Sequence, residues 1–349
     1  MSAEKRQVSI SIGTILKTII VLLVLGFLWL IKDVLALLFV AIILSAAFDP
    51  MVDYLHQKRI PRALSVLGIY IIFLSLVAGA IFLLAGPVVQ QVKNIAYDAD
   101  TAHFYQKIEE GLQNLNQIGL KEGETQKAQG LSVLTNSLSK ATSGIFSFVV
   151  SLFGGVISFF IILVITFYLV AEEDGMKRFI RNIVPWQHQP YAMQLINKIQ
   201  NRMGYWLRGQ LFLSLIVFSL VYLGLSILGV KYALILALVA GLFEIIPYLG
   251  PLMSAIPAVF FAFAESPSKA LMVVGLYFLI QQAENHLIVP KVMGKSVGLN
   301  PIVVILSILI GARIGGAVGA ILAVPVATAL SVYFEELVET KTQAENRLE

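Results

Sequence analysis

The sequence predicts an all-α polytopic membrane protein with about eight transmembrane segments. Two of these are broken-helix hairpins in an inverted repeat, and a further helical hairpin lies outside the membrane. Three observations lead there. Hydrophobic residues make up 58% of the 349 positions, and with the 26 glycines about 65%, against about 45–50% in soluble domains. Charged residues are only 13%, roughly half the usual share, which excludes a disordered chain and leaves too little polar surface for an ordinary soluble enzyme. Finally, apolar runs recur along the chain at lengths near the roughly 20 residues that a membrane-crossing helix needs.

The runs are 14–31, 34–48, 64–86, 144–171, 210–229, 232–265, 270–289 and 301–334. The first two are parted by Lys32-Asp33, and one helix over both would be about 52 Å long, too long for a hydrocarbon core of about 30 Å. Two short helices joined by a polar turn are expected. The apolar region is too long for a cleaved signal peptide, so the N-terminus is read as a retained anchor.

The basic residues orient these segments. Loop 49–62 carries Lys58, Arg59 and Arg62 against Asp49 and Asp53. Stretch 172–208 carries six basic residues against Glu172, Glu173 and Asp174, while 88–143 carries five lysines against six acids. The first two are therefore placed inside and 88–143 outside. The N-terminus, with Lys5 and Arg6, is then cytoplasmic, and alternating crossings agree.

Phe104, Ile108, Leu112 and Leu115 mark one amphipathic helix, and Leu131, Leu134, Leu138 and Ile145 mark another. Together they predict an external helical hairpin. Leu195, Ile199, Met203 and Trp206 share a face of a third. It is read as lying on the inner leaflet, the alternative being packing on the protein's own cytoplasmic face.

Runs 232–265 and 301–334 are each 34 residues long and interrupted in the middle. The first contains Ile246-Pro247-Tyr248-Leu249-Gly250-Pro251. The second contains Gly311, Gly315, Gly316 and Gly319. Proline breaks helices and glycine weakens them, so each run is read as two arms and a turn, either re-entrant or fully crossing. Helix 210–229 plus the first hairpin, and helix 270–289 plus the second, then form an inverted repeat, a plan of secondary transporters. The resulting divisions are 1–87, three N-terminal membrane helices; 88–143, the external hairpin; 144–208, a membrane helix plus the amphipathic helix; 209–334, the transport core; and 335–349, a cytoplasmic tail.

Five of the 46 charges fall inside the apolar runs: Lys17, Glu244, Glu265, Glu284 and Arg313. Lys17 and Glu265 are terminal and can snorkel. Charge at the bilayer centre costs about 2.5–3.5 kcal/mol or more, so Glu244 is paired, water-facing or protonated. It is read either as a coupling group or as the partner of Arg313 in a structural salt bridge. Gln281, Glu284 and Asn285 share a helix face at i, i+3, i+4, with Glu284 and His286 as a possible relay and helix packing as the alternative. The chain has no cysteine and only four scattered histidines, so no metal or cofactor is expected. No phosphate-binding loop or hydrolase motif is present, so the chain is read as a non-enzyme. Its basic residues are explained by membrane orientation rather than by nucleic acid.

These motifs resemble a known family. The Ile246–Pro251 turn is similar to a signature of the autoinducer-two exporter-like family. So are Glu284-Asn285 followed by Pro290, Gly294 and Gly298-Leu299-x-Pro301, and the Gly-rich run ending Leu322-Ala323-Val324-Pro325. The resemblance covers nearly the whole chain and is strongest over 205–334. It implies a bacterial or archaeal inner-membrane homo-oligomer, in some forms a pentamer. It also implies export of the quorum-sensing signal autoinducer-two or, in other members, sodium/proton antiport. The expected substrate contacts are Glu244, Tyr248 and Arg313, then Gln281, Glu284 and Asn285, with lipid and a small solute or monovalent cation as partners. A non-transporting membrane scaffold is the rival from another class.

Overall fold

The structure is a computed structural model and describes residues 12–100, 156–172, 181–182, 184–293 and 299–345. The described residues are helical and contain no strand. Four helical stretches are long and apolar enough to cross a membrane: Lys32–Gln57, Arg62–Gly79, Trp186–Ile227 and Pro301–Val338. Shorter apolar helices lie between them. The external hairpin expected over 101–143 falls outside the described residues.

α1 (Ile12–Leu30) and α2 (Lys32–Gln57) part at one residue, Ile31. The expected polar turn at Lys32-Asp33 does not form. Both residues belong to the first turn of α2, and backbone bonds run through the break, from Ile31 N–H to the Phe27 carbonyl and from Leu35 N–H to the Ile31 carbonyl, each at 3.0 Å. The Lys32 ammonium covers the Trp29 ring at 4.7 Å, which lets the charge stay within the helix.

α2 contains Pro50, which has no N–H to offer the carbonyl of Ala46 one turn back. That carbonyl is met from elsewhere in the chain. Arg208 donates to the Ala46 oxygen at 3.3 Å and to the Ala47 oxygen at 2.9 Å. Gly204 allows the approach, since a Cβ there would lie 2.2 Å from the Ala46 oxygen.

α3 (Arg62–Asp100) and α4 (Val156–Ala171) pack on α2 around Val52, Val66, Ile69, Tyr70, Leu163 and Val170. Tyr70 donates its hydroxyl to the Leu163 carbonyl at 2.9 Å. Arg62 closes the end of this group by pairing with Asp53 at 3.1 Å.

α5 (Gln189–Ile227) is one continuous helix of 39 residues, about 58 Å long. The amphipathic stretch 191–208 and the apolar run 210–229 are therefore a single element. Its expected place on the inner leaflet is corrected. Met203 and Trp206 are buried and pack with Ile43, Ala47, Ile308 and Val324, so the apolar stripe meets protein rather than lipid headgroups.

α6 (Ala233–Phe243) and α7 (Leu249–Glu265) are the arms of the first hairpin. Their outer ends meet: Tyr232 and Phe261 are in edge contact at 5.4 Å, and Lys231 N–H donates to Glu265 at 2.8 Å. Glu265 also pairs with Lys269 at 2.5 Å, which satisfies a charge that the sequence left to solvent. Ser266 then caps α8 (Pro267–Ala283) by accepting from Lys269 N–H at 3.1 Å, and Pro267 starts that helix without needing a partner for its nitrogen. A π-helical turn, Glu284–Ile288, and the short α9 (Val289–Val292) follow.

α10 (Pro301–Glu345) is the second hairpin. Its helical backbone is interrupted at Gly315 and Gly316, the latter at φ 59°, ψ −139°, a conformation open almost only to glycine. The arms 301–314 and 317–345 meet backbone to backbone beside the turn. A Cβ on Gly311 would lie 2.3 Å from the Gly319 oxygen, and one on Gly319 would lie 2.0 Å from the Gly311 oxygen.

Two apolar clusters hold these parts together. One joins the second half of α5 to α6, α7 and α8. The other joins α2 and the middle of α5 to the first hairpin's turn and the second hairpin, through Ile246, Val304, Ile308, Ala320 and Ala323.

Candidate functional site

The site begins at the turn of the first hairpin. α6 ends at Phe243, and the backbone turns sharply through Glu244–Tyr248 before α7 starts. Gly250 N–H donates to the Ile246 carbonyl at 2.8 Å. A Cβ at Gly250 would lie 2.1 Å from the Phe243 oxygen, so only glycine lets α7 start against the end of α6. Tyr248 takes φ 64°, a left-handed value that is rare for an aromatic residue. Pro247 and Pro251 flank it and prevent the helix from running through.

This turn holds Glu244 wholly inside the protein, 0% exposed. Among the described residues its carboxyl meets no amide, hydroxyl or cationic donor, and only the carboxyl of Glu284 faces it. The charged group that acts on it is Glu284. Gln210, on α5 and 1% exposed, donates its amide nitrogen to the backbone carbonyl of Glu244. A carbonyl accepts and cannot donate, so the amide has one allowed orientation. Its Oε1 is then left without a donor. Gln210 Oε1 and the two Glu244 carboxyl oxygens are thus three buried acceptors without an amide, hydroxyl or cationic donor among the described residues, and each such group usually costs about 1–3 kcal/mol. An arrangement of acceptors with no donor suits a proton or a cation.

Glu284 faces this group from the end of α8. It opens the π-helical turn and is 5% exposed. Such turns recur at functional sites because one extra residue redirects a side chain. Gln281 reaches Glu284 at 3.4 Å and Asn285 at 3.3 Å, so the face expected from the i, i+3, i+4 spacing does form. His286 is exposed and its Nδ1 meets the Gln282 carbonyl at 3.0 Å. The Glu284–His286 relay is not formed: the buried carboxyl and the exposed imidazole point to different surroundings.

Arg313 lies apart from these residues. It is exposed near the second turn and makes no ion pair among the described residues. The structural salt bridge with Glu244, the alternative open at the sequence level, is absent. Tyr248 is 43% exposed. Gly311, Gly315, Gly316 and Gly319 shape the second turn, as described above. Pro290 falls in α9, and Pro301 opens α10 after Asn300, whose Oδ1 accepts from Ile302 N–H at 2.9 Å. Pro325 is buried in the outer arm, and Gly294 lies outside the described residues.

Sequence reasoning passed over Gln210, the first residue of its apolar run. A polar side chain at the edge of a membrane segment was the available signal. It also passed over Arg208, whose role depends on a proline 158 positions earlier in the chain.

Comparison with known proteins bears on this arrangement. A family model described as "AI-2E family transporter" matches residues 18–339. "Putative transport protein YueF" of Bacillus subtilis is 28% identical over 326 residues, covering 89% of this chain and 86% of its own length. YrrI of the same organism, named in the same way, is 27% identical over 350 residues, covering 94% and 95%. YhhT of Escherichia coli K12, again so named, is 22% identical over 316 residues, covering 87% and 84%.

Proposed function

The chain belongs to the AI-2E transporter family, and from that premise we propose that it is an ion-coupled secondary transporter whose coupling site is the Glu244–Glu284 pair. The observation that carries this is Glu244 itself. A carboxyl with no cationic or neutral donor beside it, held inside a membrane protein by a broken helix, exacts a large cost that packing does not require. Facing a second carboxyl, it gives a place where a proton binds and leaves.

The exported solute is small, polar and organic, of the kind of autoinducer-two. It meets Tyr248, exposed on the first turn, and Arg313, exposed on the second. Arms of this length favour re-entrant hairpins: α6 has 11 residues, about 16 Å, roughly half of the hydrocarbon core. The last four of the eight segments then form the inverted repeat, with both termini in the cytoplasm of a bacterial or archaeal cell. The working unit is a homo-oligomer, with a pentamer as the form the resemblance implies.

A second reading, sodium or lithium exchange for protons, is favoured by the oxygen chemistry. Gln210 Oε1 and the Glu244 carboxyl are all acceptors, and hard oxygen ligands suit such cations.

The test uses proteoliposomes under an imposed pH gradient with an internal pH dye. Sodium, lithium, potassium or autoinducer-two is added to the parent, Glu244→Gln and Glu284→Gln. Proton movement that depends on the solute and vanishes in either variant supports the first reading. The same dependence on sodium or lithium supports the second. Undiminished flux in both variants would overturn the carboxyl pair as the coupling site.

A further inference from the structure

Among the described residues, the base of the second hairpin is tied to α5 by the ion pairs of Lys198 and Arg202. Lys198 pairs with Glu336. Arg202 makes a two-pronged contact with Glu335, Nη1 to Oε1 at 3.1 Å and Nη2 to Oε2 at 2.7 Å. Lys198 and Arg202 are four residues apart and so share a helix face. Ser331 donates to Glu335 Oε1 at 2.9 Å, which aims that carboxylate. The partners lie 138 and 133 positions apart in the chain, so local helix stabilisation does not account for them.

Two further features concern the same arm. Its other end is the glycine turn at Gly315-Gly316. From Gly316 to Glu335 the arm runs about 28 Å, so a rotation of about 10° at the turn moves the base by about 5 Å. The two arms touch at Gly311 and Gly319 but diverge toward the base, where a cavity of about 700 Å³ opens between them. Val303 and Ser307 line it from one arm, and Leu330, Ser331, Phe334 and Glu335 from the other. The outer arm thus has a glycine turn at one end, an apolar contact with α2 and α5 through Ala320, Ala323 and Val324, open volume along one side and a charged attachment at its base.

We infer that Lys198–Glu336 and Arg202–Glu335 form a salt-sensitive latch that holds the outer arm of the second hairpin on α5. Their exposure sets the strength. Lys198 is 42% exposed, Arg202 35% and Glu335 49%, with only Glu336 largely covered at 10%. Ion pairs in such surroundings are weak and are screened by salt. Weakness suits a contact that must open repeatedly, because a strong one would trap the arm. The latch is independent of which solute or ion the carboxyl pair carries.

The chain has no cysteine, so one introduced pair reports on this contact alone. Gln194→Cys on α5 and Leu337→Cys on α10, both at exposed positions, are spin-labelled in lipid vesicles. Distance distributions are measured at low and high salt. The parent gives one narrow distribution at low salt that broadens at high salt. Glu335→Lys with Glu336→Lys gives the broad distribution at every salt concentration. Adding Lys198→Glu and Arg202→Glu to that variant restores the narrow, salt-sensitive one. Glu335→Gln with Glu336→Gln, a milder change, raises the unlatched fraction roughly three- to tenfold. Any of three results overturns the latch: a parent distribution indifferent to salt, reversed charges that leave it unchanged, or a fourfold reversal that fails to restore it. The distances are read without substrate, so they stand whether or not Glu244 and Glu284 prove to be the coupling site.

Discussion

The two hairpins solve the same geometrical problem with different residues. The first breaks its helix with prolines, places Tyr248 in a left-handed conformation and needs one glycine, Gly250, for a close approach. Its turn is packed among α5, α8 and the second hairpin and holds a carboxyl away from water. The second turns on Gly315-Gly316, closes on the Gly311–Gly319 contact and leaves residues 312–318 exposed. Proline and a bulky left-handed residue fix a backbone at the expense of strain, whereas consecutive glycines permit several conformations. The first hairpin is built to hold a group in place and the second to be redirected.

The largest expected effect is on the held group. Glu244→Gln removes transport to the level of empty vesicles in the flux assay while thermal unfolding shows a folded protein, because the amide keeps the volume but cannot bind and release a proton as a carboxyl does. Retained flux would erase the functional side of the comparison.

Next come the close approaches. Gly250→Ala and Gly319→Ala each force a methyl to about 2 Å from a carbonyl oxygen. Each is expected to cost about 2–4 kcal/mol, read as a lowered unfolding midpoint in detergent. Gly315→Ala is the control. Nothing lies within 4 Å of its Cβ and its φ is −125°, so it should cost only a few tenths of a kcal/mol.

Gly316→Ala falls between these. No atom crowds it, but φ 59° with ψ −139° strains any residue with a side chain, and about 1–3 kcal/mol is expected. A cost below that of Gly315→Ala would show that the second turn readily adopts another backbone.

Leaving aside the Gly315→Ala control, the smallest effect sharpens the comparison from the other side. Tyr248→Gly relieves the left-handed backbone and should change stability by about 1 kcal/mol or less. If Tyr248 contacts solute, the apparent affinity falls while the unfolding midpoint holds.

Both hairpins were legible because proline and glycine interrupt an apolar run in a way that periodicity cannot hide. Glu244 was legible as an anomaly, since a charge inside such a run demands explanation. The face of Gln281, Glu284 and Asn285 followed from spacing alone. What escaped was what depends on distant parts of the chain. The break at Ile31 was placed at the charges next to it, because a charge looks like a boundary even where a neighbouring ring accommodates it. α5 looked like two elements because Lys198, Arg202 and Arg208 end the apolar run, although nothing in 189–227 ends the helix. Those same charges proved to have partners in α2 and α10. That Glu244 faces Glu284, and does not pair with Arg313, depends on packing that the sequence does not display.

The attachment of Arg208 to α2 has a consequence for the order in which the protein is made. Pro50 opens the Ala46 carbonyl as soon as α2 leaves the ribosome, but its donor lies 162 residues downstream. For the whole of that interval the Ala46 carbonyl has no donor from the chain, and water at the end of the segment must stand in for Arg208. The N-terminal helices therefore gain this contact only after they are synthesised. They wait for α5, and its arrival completes the first part of the protein as it begins the second.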